Sequence, residues 1–244
     1  MTSFLWLSKI MIVDDEVITE QEEHWVSVSD LMAGLMMVFL LVAIIFMVAV
    51  EEEKNKIRDV ALLYERLRTQ LYEDLQREFK DDLDNWGAKI NPDLSIRFSK
   101  NEFLFDRGET DLQPKFKEIL SDFFPRYLNI LTRDDYKSDI TEIRIEGHTS
   151  SMWFGRSKDE GYILNMELSQ GRTRSTLAYL INLEEIQNQK DWLVSHLTAN
   201  GLSSSKPVLT LLGAEDEAMS RRVEFRVRTD AESRIAEILK NSLK

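Results

Sequence analysis

The alternation of apolar and polar positions divides the chain into three stretches. Residues 31–50 form an unbroken run of twenty uncharged, mostly apolar residues. At about 1.5 Å rise per residue such a run crosses a hydrocarbon core of roughly 30 Å as one helix. It opens at Asp30 and closes on Glu51, Glu52, Glu53 and Lys54. Its length, and the lack of a basic start and a small-residue cleavage site, predict a retained anchor and not a removed signal. Residues 51–86 are highly charged and contain no Gly or Pro, with apolar residues at Ile57, Val60, Tyr64, Leu67, Leu71, Leu75 and Phe79. Spacings of three and four predict a helix with a narrow apolar stripe. That stripe suits either a short dimeric coiled coil leaving the membrane or packing onto the chain's own domain. Gly87 and the pair Asn91-Pro92 end it.

From Ser95 onward the pattern is mixed. Residues 95–98 and 102–105 read as short strands, and residues 111–131 carry Leu112, Phe116, Ile119, Leu120 and Phe123 at helical spacing. Residues 140–147 alternate as a half-buried strand does, with Ile143 and Ile145 on one side. Helices are predicted over residues 165–183 and 188–200, strands over 208–212 and 222–228, and a terminal helix over 231–243. The order β-α-β-α-β, with strands returning to one sheet, predicts an α+β domain of about 150 residues. The organisation expected is a segment 1–27, a transmembrane helix 28–50, a linker helix 51–90 and a globular domain 91–244.

Composition narrows the chemistry. The 43 acidic and 31 basic residues give a net charge of −12, which argues against a direct nucleic-acid partner, because phosphate backbones require a basic face. There is no cysteine, hence no disulfide framework, thiol nucleophile or thiolate metal site. His24, His148 and His196 are scattered without metal-ligand spacing, and no phosphate-cradling Gly loop or nucleophile elbow occurs. Neither an enzyme nor a bound cofactor or metal is expected. The charges flanking the span are Lys9 among six acidic residues before it and Lys54, Lys56 and Arg58 after it. By the positive-inside rule alone they would put the C-terminal side in the cytoplasm.

Asp30 is the notable ionisable group. At a low-dielectric boundary a carboxylate can alternate between a neutral form that rests against a partner helix and an ionised form that seeks donors or water. The competing reading is that Ser27, Ser29 and Asp30 cap the start of the span helix in the headgroup layer. Ala33 and Gly34 permit close helix approach, and Trp25 suits an interfacial anchor.

Three separated motifs occur in order: residues 143–149 (IRIEGHT), residues 165–172 (NMELSQGR), and Gly213 followed by residues 221–225 (RRVEF). With Leu104-Phe105-Asp106 and Leu112-Gln113-Pro114 ahead of them, they resemble the OmpA-like peptidoglycan-binding family over residues 95–228. The resemblance implies an OmpA-like α/β sandwich domain. It places a peptidoglycan site on His148, Thr149, Ser150, Asn165, Leu168, Ser169 and Arg172, where an Asp following GHT and the Arg of LSxxR grip the diaminopimelate of the wall's stem peptide. Here Arg172 keeps its position and can meet a carboxylate with its fork, whereas Ser150 replaces the Asp. Asp159 or Glu160, in an intervening loop over residues 151–164, is the expected substitute. Arg221 and Arg222 are read equally as ligand contacts or as fold-closing groups.

Residues 29–41 (SDLMAGLMMVFLL) resemble the membrane motif of the B subunits of proton- or sodium-driven rotary stators, with Asp30 as the ion-carrying carboxylate. Within that family the acidic first 25 residues, Ser150 and the long loop look like the B subunits of the Zorya anti-phage defence system. The resemblance implies a homodimer, a multi-span A-type partner with five A around two B subunits, and anchorage to peptidoglycan. It also implies a single-pass bacterial inner-membrane protein with residues 1–27 cytoplasmic and the C-terminal domain periplasmic, reversing the reading from flanking charge. A flagellar-type stator subunit and a passive envelope anchor without ion transport are the alternatives.

Overall fold

The computed structural model describes residues 4–230 and Lys240, leaving the side chains of residues 4–24, 26–27 and 63–64 outside the description. The terminal helix expected over residues 231–243, apart from Lys240, and the Tyr64 side chain of the stripe lie outside the description. The chain forms two units, residues 1–58 and 59–244.

The first unit is helical from Phe4, within α1 (Phe4–Phe79). Among the described residues this is the one helix long and apolar enough to cross a membrane, with a mean hydropathy of 3.0 in its most apolar window. Leu31 and Phe46 are 75% and 71% exposed, and every residue from 28 to 52 is exposed on all faces of the helix. A helix apolar all round with nothing packed on it suits lipid as solvent. Because α1 begins at Phe4, Ser27, Ser29 and Asp30 are interior to a helix and have no free helix N-terminus to cap.

The second unit is an α+β domain. Its sheet runs β1 (Ala88–Ile90), β2 (Ser95–Phe98), β5 (Arg222–Thr229), β3 (Ile140–His148) and β4 (Leu197–Gly201) in spatial order. All neighbours are antiparallel except the parallel pair β3 and β4. Period-two alternation sends Ile96, Phe98, Ile143, Ile145, Val223, Phe225 and Val227 into the core. Helix α4 (Pro114–Leu131) covers that face with Phe116, Ile119, Leu120, Phe123, Phe124, Tyr127 and Leu128. Phe123 is the hub, its ring centroid 5.1 Å from Phe98, 5.2 Å from Phe225 and 5.3 Å from Phe79.

The last turns of α1 belong to this core. Leu71, Leu75 and Phe79 are fully buried, and Leu67 packs against the same cluster. Arg126 of α4 fixes the helix end, donating from Nε to Glu78 at 2.8 Å and from Nη2 to Asp82 at 2.9 Å while lying 5.0 Å over the Phe79 ring. The second half of the apolar stripe is therefore spent on the chain's own domain, and any coiled coil is confined to the turns around Ile57 and Val60. The short α2 (Leu83–Trp86) ends at Gly87, whose φ of 59° is left-handed and where a Cβ would meet Lys100 Cβ at 2.5 Å.

Four expectations are corrected. Residues 102–105 are not a strand: Asn101–Leu104 forms the one-turn helix α3, and Phe105 makes an isolated bridge to Leu112. A run of three apolar residues carries no period, and here burial of Leu104 and Phe105 decides its shape. After α5 (Asp134–Lys137) and β3, helix α6 (Lys158–Ile181) starts seven residues earlier than expected, because Ser157 and Glu160 form a capping box. The loop before it shrinks to residues 151–157. The expected helix over 188–200 is a 3-10 turn (Glu184–Gln189), α7 (Lys190–His196) and then β4, whose Gly201 approaches α6 so closely that a Cβ would meet Gln170 N at 2.3 Å. Residues 208–212 join no sheet strand; a Leu209–Glu215 bridge and Gly213 at φ 79° make them one side of a small hairpin. The one-turn α8 (Glu217–Ser220) leads into β5.

Candidate functional site

Gly147 sets the site. A Cβ there would stand 2.7 Å from Thr173 Cγ2 and 2.9 Å from Ser169 O, so glycine lets α6 lie directly on the end of β3. The chain leaving β3 then lines, with α6, a cleft of about 670 Å³. Six of the seven expected wall-site residues line it: His148, Thr149, Ser150, Asn165, Leu168 and Arg172. Ser169 does not. It is fully buried, its Oγ donating to Met166 O at 3.0 Å and accepting from Ser203 N at 3.0 Å, so it joins α6 to the chain after β4.

Arg172 is held without a carboxylate. Its Nε donates to Glu109 O at 2.9 Å and its Nη2 to Asp106 O at 3.0 Å, and the guanidinium lies 4.8 Å over the Phe105 ring. Burial, followed by the charge of Arg221, pushes its guanidinium down to about 10. No ion pair to Arg172 occurs among the described residues. Two carbonyls orient the fork and leave Nη1 for an incoming acceptor.

Asn165 donates from Nδ2 to Ser150 O at 3.0 Å and so fixes the turn after GHT. Ser150 is buried and brings no charge. The expected substitutes are displaced: Asp159 and Glu160 occupy the exposed first turn of α6, Glu160 is committed to the capping box, and neither lines the cleft. The carboxylates that do line it are Asp106 and Glu217. Met152, Trp153 and Phe154 form an apolar wall, and Arg107 lies 5.6 Å over the Phe154 ring. Glu215 ties that wall to the 208–215 hairpin by accepting from Ser151 N at 3.0 Å and from Ser151 Oγ. Of these, Asp106 falls within the motif Leu104-Phe105-Asp106, whereas Glu215, Glu217 and the 152–154 wall fall in no motif.

Beneath the cleft, the polar face of the sheet is a buried charge network. Glu146 stands opposite Glu224, and Arg144 opposite Arg226. Such like-charge pairs are unfavourable unless diagonal neighbours compensate. Here Arg226 reaches Glu146 at 3.4 Å and Glu224 at 3.2 Å, while Arg97 and Arg222 reach Glu224 at 2.9 and 2.6 Å. Arg222 also donates to Lys206 O and Ser220 O, which makes it chiefly a fold-closing group. Burial pushes the Glu146 carboxyl up, but the positive charges of Arg226 and Lys206 outweigh it and hold it below the usual carboxylate range.

Glu146, His148 and Glu224 offer ligand atoms within 4.8 Å of one another. Guanidinium groups already occupy both Glu224 oxygens and Glu146 Oε2, which makes the cluster an ion network and a poor cation site. His148 Nε2 is 3.7 Å from Glu146 Oε2, beyond hydrogen-bond reach, and burial lowers the imidazole below its ordinary 6.5. Both His148 ring nitrogens and Thr149 Oγ1 are buried without a hydrogen-bond partner at the floor of the cleft. Unsatisfied polar atoms lining a cleft are what a polar ligand would complete.

Residues 104–220 match the OmpA family. The chain is 49% identical over 222 residues to the Zorya protein ZorB of Escherichia coli (strain Crooks), covering 90% of this chain and 94% of that one. It is 26% identical over 226 residues to a second Zorya protein ZorB, from Escherichia coli O139:H28 (strain E24377A), covering 85% and 80% of the two chains. Among solved structures, a MotB-like protein from Desulfovibrio vulgaris is 23% identical, covers 68% of this chain and 96% of its own, and superposes with a TM-score of 0.46.

Proposed function

Because the chain belongs to the family of the Zorya protein ZorB, we propose that it is the B-type subunit of a proton-driven, stator-like membrane motor that grips peptidoglycan and acts in anti-phage defence. The observation that carries this reading is the family match over 90% of the chain, which takes in the apolar span as well as the OmpA-family domain. On this reading residues 1–27 are cytoplasmic, residues 28–50 cross the inner membrane, and the domain from residue 91 lies in the periplasm. Two copies pair, and their Asp30 carboxylates face the helices of a surrounding ring of five A-type subunits.

Asp30 is suited to that role: it is an exposed carboxylate in the interior of a helix, at the mouth of a span that is apolar on every side. Protonated, it rests against a partner helix; ionised, it seeks a hydroxyl, a backbone donor or water on that partner. A charge moved through the membrane potential supplies about 2.3 kcal/mol per 100 mV. The cleft supports the wall-binding half, with Arg172 Nη1 open to a carboxylate and the floor atoms of His148 and Thr149 open to polar groups.

Asp30→Asn is expected to leave the A–B complex intact in detergent and to abolish protection against phage. Full protection by that variant would sink the ion-carrying role and leave a passive anchor.

A further inference from the structure

The cleft contains an ion pair with little holding it together. Glu217 and Arg221 both line it, their charged atoms are 3.5 Å apart, and their side chains are 40% and 39% exposed. Pairs of this length and exposure contribute little, so parting them costs little. The bases beneath them are firm. Asp216 caps α8 by accepting from Met219 N at 3.0 Å, Asp216 N donates to Val208 O at 2.8 Å, Val208 N donates to Ser220 Oγ at 2.9 Å, and Asn101 Nδ2 donates to Ala218 O at 2.9 Å. Two half-exposed charges thus stand on a fixed one-turn helix, facing a cleft.

Arg172 makes this more than a surface pair. It lies near enough to Arg221 for the two positive charges to disfavour each other, and it has no carboxylate of its own. Of the four arginines lining the cleft, Arg222 is paired with Glu224 and Arg107 lies over the Phe154 ring; Arg172 and Arg221, with Glu217, form the complement of a zwitterionic amino-acid terminus, whose carboxylate would take the two arginines and whose ammonium would take Glu217. Asp106 is the other carboxylate of the cleft, but it is exposed in a loop that turns at Gly108, and its fixed contribution is the backbone carbonyl that orients Arg172. The unpartnered Thr149 Oγ1, 3% exposed, and both nitrogens of His148 are independent signs that the cleft awaits polar atoms.

We infer that Glu217 is the ammonium acceptor of the cleft and that ligand binding replaces the internal Glu217–Arg221 pair with the ligand's own ammonium and carboxylate. This inference rests on the wall-peptide reading for the source of the ligand, and it assigns specificity for a free amino group to a residue outside the GHT and LSxxR motifs. The closing experiment is calorimetric titration of the full chain in detergent micelles with L-Ala-γ-D-Glu-meso-diaminopimelate. The same peptide with hydrogen in place of its distal ammonium serves as the comparison. The unaltered protein is expected to prefer the ammonium-bearing peptide by about ten-fold or more, the size of one charge-assisted contact. Glu217→Gln should bring that ratio to about one with an unchanged melting temperature, Asp106→Asn should keep it, and Arg172→Ala should weaken both peptides together. A ratio preserved in Glu217→Gln, or lost in Asp106→Asn, overturns the assignment while the wall-peptide reading stands. Binding of neither peptide by the unaltered protein overturns that reading and the assignment with it.

Discussion

His148 shows how a single residue can serve both the site and the fold. It sits on the polar face of β3, 3% exposed, with neither ring nitrogen bonded, so the folded protein holds it neutral while the unfolded chain takes up a proton near 6.5. The folded value lies below the unfolded one, so the His148 contribution is present above pH 6.5 and is lost as pH falls. Glu146 has the same sign in a lower window: its contribution is complete above 4.5 and is lost as pH falls below that. Urea unfolding followed by tryptophan fluorescence should therefore show stability falling in two stages, each with a slope of at most about 1.4 kcal/mol per pH unit per proton. His148→Asn should remove the upper stage and keep the lower. The residues of the GHT and LSxxR motifs were legible because they lie together in the sequence and share one chemistry. Glu217 and Met152 were not, because they reach the cleft from the one-turn α8 and from the loop before α6, where no periodicity marks them. Ser169 misled for the opposite reason: it sits inside a motif, three positions before Arg172, yet its hydroxyl serves Ser203 N.

Among the elements, α1 shows what a pattern can and cannot decide. The spacing of Leu67, Leu71, Leu75 and Phe79 was legible as a helical stripe, but the same spacing serves a partner chain or the chain's own core. Only the placement of α4 against it, through Phe123 and Arg126, resolves the choice. A fragment beginning at Asp59 should therefore unfold in one cooperative transition. One beginning at Ser95 loses the buried Leu71, Leu75, Phe79, Trp86, Ile90 and Leu94 and should fail to do so, since each large buried side chain is worth about 2–5 kcal/mol. Circular dichroism of both fragments through a urea series tests this; equal cooperativity would show that the helix end is dispensable. Strand β4 was missed because it is a five-residue edge strand with a single partner, and edge strands need little of the β-branched alternation that announces a central one. Strand β5, with partners on both sides, carries the full alternation and was legible at once.

At the scale of the molecule, a net charge of −12 coexists with an uncharged span of twenty residues. The charge favours solubility, the span favours lipid, and burial of a helix that is exposed on all faces outweighs dispersed surface charge. The full chain should therefore resist extraction by high salt and alkaline carbonate and should require detergent, whereas removal of residues 1–58 should leave the remainder in the soluble fraction. Sedimentation and immunoblotting of the two forms would decide it, and release of the full chain by carbonate would deny it a spanning helix. The junction between helix and domain bears on how load would travel. Since the helix ends inside the hydrophobic core, under Arg126 and against Phe123, tension arriving at Asp59 meets interlocked side chains and has no slack tether to take up first. Pulling apart such a seam requires many contacts to shear together, so force applied at Asp59 would be carried by the domain as one stiff body and would reach the cleft almost undelayed.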